Sequence, residues 1–168
     1  MRRISVGALL IALSFAAGGC GRPAFSGAGG ERTSSAPVPA LPAWARSLEG
    51  RPLRSIARQK LAACIGFVDG VSKTYTGTPP GTQISGWGWD SADHRPYSRI
   101  LVTTADDQRK IVGAGDVTLI RPDVRQAQSQ VTSDRTGFYA EVHVTSGDLR
   151  AWGQSGSDVC LIGSVTVK

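Results

Sequence analysis

The chain is poor in side chains that bind metals or transfer groups. Its 168 residues include two histidines, three cysteines and one methionine, and aromatics make up 7%. No C-x-x-C occurs, and the His and Cys spacings match no zinc pattern. The motifs G-x-S-x-G, G-x-x-x-x-G-K-[ST] and H-E-x-x-H are missing as well. Gly113-Ala114-Gly115 lacks the rest of a dinucleotide loop. Asp106 and Asp107 are adjacent, and neighbours in an extended chain point apart, so they do not form an acid/base pair. No catalytic residue, no metal and no cofactor is therefore expected, and the chain reads as a non-enzyme.

A net basic charge is missing from the C-terminal two thirds. The net charge is +6, which by itself suggests a nucleic-acid partner. Residues 1–60 carry nine Lys and Arg against Glu31 and Glu49, whereas residues 61–168 carry ten against eleven acids. A nucleic-acid-binding domain needs its own basic face, so no nucleic-acid partner is expected. A long apolar run is also absent. Ile4–Ala17, after the cationic Met1-Arg2-Arg3, is about two thirds of what spans a bilayer. It has the length of the apolar core of an export signal, and the small residues Gly18 and Gly19 follow it.

Ala16-Ala17-Gly18-Gly19-Cys20 resembles the lipobox of bacterial lipoproteins, with Ala17 where that family prefers Leu. The resemblance implies a signal peptide over 1–19, cleavage before Cys20, and a diacylglycerol on its thiol with a further acyl chain, such as palmitate, on its amine. Acyl chains hold a protein on a bilayer at about 0.8 kcal/mol per buried methylene. Gly21 after the cysteine resembles an outer-membrane sorting signal, implying a cell-envelope protein on the outer membrane, facing the periplasm. With Cys20 acylated, Cys64 and Cys160 remain as an even pair in an oxidising compartment, and a disulfide between them is expected.

Residues 21–43 are mostly Gly, Ser, Ala, Pro and Thr, and residues 44–60 are basic and interrupted by Gly50 and Pro52. The segment 20–60 is expected to be a flexible basic tether. From residue 61 to 168, short apolar runs alternate with turn residues. Strands are predicted at 61–68, 83–89, 98–104, 109–112, 117–120, 137–145, 149–154 and 159–167, with one helical turn at 122–129. Gly113-Ala114-Gly115 is taken as a separator. Helical periodicity is absent from this region, so the expected fold is all-β, a single β-sandwich.

Gly66-Phe67-Val68-Asp69-Gly70, Gly86-Trp87-Gly88-Trp89-Asp90, Arg121-Pro122-Asp123-Val124 and Thr136-Gly137-Phe138 follow one another in order. Together they resemble an immunoglobulin-like β-sandwich module of bacterial cell-envelope proteins, often appended to glycosyltransferases, with Gly88 where Ala is usual. The resemblance implies a fold and a setting, with no catalytic residues. Trp87 is expected at the sandwich centre. Asp90 and Asp123 are expected to cap their turns, and Arg121 to pair with a nearby carboxylate.

Phe138, Ala140, Val142 and Val144 alternate with Tyr139, Glu141, His143 and Thr145, the pattern of a strand with one buried face. The position of Trp152 depends on the hairpin register after His143. A two-residue Gly147-Asp148 turn sets Trp152 beside His143 and near Tyr139 on the polar face. A three-residue loop buries it. The area of a tryptophan favours burial, whereas turn chemistry and Leu149 favour exposure. In the exposed register Trp152, Tyr139 and His143 are the candidate ligand-binding residues.

Three functions follow as expectations. The first is a lipid-anchored envelope protein that binds or scaffolds without catalysis, with an envelope protein or polysaccharide as partner. The second is a carbohydrate-binding module. A small envelope hydrolase using Asp90, His94 and Asp123 ranks last.

Overall fold

The computed structural model describes residues 31–59 and 64–168. Cys20, the signal segment, and Lys60 to Ala63 lie outside the described residues, as does the start of the first predicted strand. The chain is all-β and sandwich-like. Its strands are β1 (Arg32–Ser34), β2 (Arg58–Gln59), β3 (Cys64–Tyr75), β4 (Gly81–Asp90), β5 (Arg95–Pro96), β6 (Arg99–Thr104), β7 (Ile111–Ile120), β8 (Arg135–Val142), β9 (Gly147–Ser155) and β10 (Asp158–Val167). A short α-helix, α1 (Pro122–Ala127), begins at a proline that is preset for the first helical turn.

The strands form one continuous mixed sheet in the order β1-β3-β4-β8-β7-β6-β9-β10-β2, with β5 beside β4. The sheet folds over until β3 and β10 lie side by side. No backbone ladder joins these two among the described residues. Side chains close the seam instead: Gly163 lies against Val68, Gly66 lies against Ile162, and a Cys64–Cys160 disulfide joins Cα atoms 6.0 Å apart. The disulfide expected from cysteine count is thus present.

Period-two alternation fills the interior. Val68, Ile84, Ile100, Val102, Phe138, Ala140, Val142, Leu149, Ala151 and Ile162 point inward from six strands. The central aromatic is Phe138, fully buried, and not Trp87. Trp87 shares the outward face with Trp89, as an alternating strand requires once Gly86 and Gly88 face inward.

Two further expectations are corrected. Gly113-Ala114-Gly115 does not separate strands but runs through the middle of β7. A Cβ on Gly115 would sit 2.0 Å from the Tyr139 carbonyl oxygen, so glycine serves close approach of β7 to β8 rather than a turn. Residues 31–59, expected within the flexible tether, are packed on the sheet. β1 and β2 add parallel strands to β3 and β10, and Leu41, Ala45 and Leu53 are buried. They cover Leu101, Ile111, Ala114, Trp152 and Val159 on the outer face of β6, β7, β9 and β10, making a second core. The backbone follows: Gly50 N–H donates to Ile111 O at 2.8 Å and Leu53 N–H to Arg109 O at 3.0 Å. Widely spaced apolar residues between prolines carry no period, yet each fills a place on a surface formed elsewhere in the chain.

Candidate functional site

The predicted hairpin between β8 and β9 does not form. β9 pairs with β6 and β10, while β8 pairs with β4 and β7. The three candidate ligand-binding residues are accordingly separated. Trp152 is 1% exposed in the second core, and its indole N–H donates to Thr103 Oγ1 at 3.0 Å. Leu149 and Ala151 meanwhile face the main core. Both faces of β9 are buried, so the choice between two registers rested on a solvated face that does not exist. His143 follows β8, with Nδ1 2.7 Å from Glu49 Oε1 and Nε2 3.1 Å from Pro39 O. It clips the N-terminal segment to the sheet. Tyr139 alone stands on an open surface, 47% exposed.

That surface is the outer face of β3, β4 and β8, where the register places residues in cross-strand rows. Phe67 opposes Trp87, and Trp87 opposes Gly137. Gly70 opposes Ser85, which opposes Tyr139. Lys73 opposes Gln83, which opposes Glu141. Directly opposed residues on neighbouring strands share a face, so each row is a set of touching neighbours.

The first row is an apolar ledge. Phe67 is 60% exposed, and Trp87 is half-buried against Trp89, Ile65, Val124 and Val131 beneath α1. Leu161, also exposed, extends the ledge across the seam, and the hollow between has a volume of about 530 Å³. Alternation gives the direction of Phe67 alone: Val68 faces the core, so Phe67 points away from it.

Beside the ledge runs a polar groove of about 500 Å³, lined by Arg32, Asp69, Lys73, Gln83, Ser85, Arg121 and Tyr139 among others. Arg121 marks the boundary. One guanidinium nitrogen donates to Asp69 at 2.7 Å, and the others hold both oxygens of Asp123 at 2.8–3.2 Å. The side chain crosses Gly137, where a Cβ would lie 2.7 Å from Arg121 Cγ. Asp123, then Asp69, raise the proton affinity of this guanidinium against the opposing effect of burial, and Arg121 lowers the Asp123 carboxyl below its ordinary value. Arg121 therefore pairs with a carboxylate as expected, but Asp123 spends its oxygens mainly on Arg121.

Gln83 donates to Glu141 Oε1 at 2.7 Å and accepts from Ser72 Oγ at 2.9 Å. Burial pushes the Glu141 carboxyl up, against the hydrogen bonds from Gln83 and Tyr75. Asp90 caps the turn after β4, accepting from Ala92 N–H at 3.1 Å and Asp93 N–H at 3.3 Å. His94 is exposed in that turn. Among the described residues, no group of three His, Cys, Asp or Glu is placed to hold a metal ion.

Fold and site define an all-β protein with an exposed aromatic ledge beside a polar groove. A scan against protein-family models returns no matching family, and searches of curated proteins and of solved structures return no match.

Proposed function

We propose that this chain is an exported cell-envelope protein, lipid-anchored through Cys20, that binds envelope polysaccharide non-catalytically through the outer face of β3, β4 and β8. One observation carries the reading: exposed Phe67 sits side by side with Trp87, next to a groove that holds Tyr139 and hydrogen-bonding groups. Sugar rings present apolar C–H faces and a polar rim. Flat aromatic surfaces suit the faces, and fixed amide, hydroxyl and charged groups suit the rim. The ledge belongs to a sheet closed by a disulfide, which gives it a rigid base. Acylation at Cys20 keeps such a module at the membrane, within reach of envelope polymers.

Retention of the protein in native gels cast with envelope polysaccharides tests the binding. Wild type is expected to be retarded by at least one polymer. Phe67→Ala and Trp87→Ala should lose the retardation, and the Phe67 variant should keep its melting temperature. No retardation in any polymer, or full retardation of both variants, overturns the reading. Intact-mass analysis tests the anchor: a mature chain that begins at Cys20 and carries acyl mass is expected, and an unmodified mature chain overturns it.

A further inference from the structure

The polar groove has an uneven charge distribution. At one end, parallel β1 and β3 set Arg32 directly opposite Lys73, and both line the groove. Like charges opposed across strands repel and destabilise the pairing. Among the described residues, no carboxylate ion pair holds either one. Lys73 lies with Nζ 4.5 Å over the Tyr75 ring centroid, and Glu141, two strands along the row, feels its charge. The other cation in the groove, Arg121, is already held by Asp69 and Asp123. Arg32 and Lys73 are therefore the cations left open to a ligand, and Tyr139 and Ser85 lie farther along the same groove. The groove's volume, about 500 Å³, falls within the range of about 300–1,000 Å³ typical of small-molecule sites.

We propose that the Arg32–Lys73 end of the groove is an anion subsite that accepts the charged group of an acidic sugar, so that the module selects acidic over neutral polysaccharide. This rests on the polysaccharide-binding reading above. An anionic oxygen between two opposed cations relieves their repulsion, and the adjoining groove wall offers Tyr139 to the ring and Ser85 to its hydroxyls. Carboxylate and phosphate present the same anionic oxygens.

The test uses the lipidated full-length chain in neutral detergent at low salt. Its affinity is measured for polygalacturonate (carboxylate), a phosphomannan (phosphate) and dextran (neutral). Wild type should prefer at least one acidic polymer to dextran. The double variant Arg32→Gln/Lys73→Gln should lose about tenfold on that polymer, two partly exposed contacts together, with dextran affinity and melting temperature unchanged. Preference for the first or second polymer tells carboxylate from phosphate. Equal affinity for acidic and neutral polymers, or an unaffected double variant, overturns the anion subsite and leaves polysaccharide binding standing. Binding to none of the panel or of the envelope polymers overturns both.

Discussion

Arg121 and Asp69 are 52 residues apart in the chain and meet at 2.7 Å on the outer face of the sheet. Through this contact four separate sequence motifs become one surface. Asp69 belongs to the first motif, and Trp87 of the second stands opposite Phe67 of the first. Arg121 opens the third, and its side chain crosses Gly137 of the fourth. The four motifs thus converge on the ledge and groove.

Replacing Arg121 with Ala should strand Asp69 and Asp123 and loosen the ledge. The expected loss is about 1–2 kcal/mol, between an exposed ion pair and a half-buried one. Arg121→Lys should recover only part of it, because an ammonium cannot span both carboxylates in a planar fork. Urea unfolding of the two variants and wild type measures this. Identical midpoints would show that the pair contributes nothing.

Trp152→Ala should cost about 3–5 kcal/mol, since it empties the centre of the second core and leaves Thr103 Oγ1 without its indole donor. The same substitution should leave polysaccharide retention intact at temperatures where the variant is folded. Thermal melting and native gels separate the two effects.

Leu53→Ala tests whether the N-terminal segment belongs to the fold. Leu53 is 3% exposed, so about 2–3 kcal/mol should be lost. A flexible tether would give no change in the denaturant midpoint.

Cys64→Ser/Cys160→Ser removes a link that closes a loop of 96 residues. The loss should be about 4–5 kcal/mol on the chain-entropy account, and it should open the seam between β3 and β10, which no backbone ladder closes among the described residues. Chemical denaturation measures the loss. Faster amide exchange in β3 and β10 than in β4 and β8 would mark the seam as the place that loosens.

Glu141 predicts a pH dependence. Burial raises its carboxyl above the ordinary value, so the folded chain binds this proton more tightly than the unfolded chain. Stability should therefore fall as pH rises from the ordinary glutamate range through the raised value. Glu141→Gln removes the slope and can still accept from Gln83 and Tyr75. The variant's melting temperature relative to wild type should climb as pH rises from the ordinary glutamate range through the raised value. A constant difference across that range would contradict the prediction.

The sequence by itself determined the all-β class, the approximate places of most strands after residue 64, the disulfide partners and the inward face of β8. Each of these is local or set by counting. Alternation at period two shows which side of a strand is apolar, as at Phe138, Ala140 and Val142. Two cysteines in one folded segment leave a single pairing. Tertiary structure decided which outward faces meet water. Trp152 and Phe67 both point away from the main core, yet Trp152 lies under residues 41–57 and Phe67 is open. That difference depends on a proline-broken segment whose Leu41, Ala45 and Leu53 show no period of their own. Strand order is equally nonlocal: β9 follows β8 in the chain but pairs with β6 and β10. Burial of a second face is a property of two distant segments together, so no local pattern within either one encodes it.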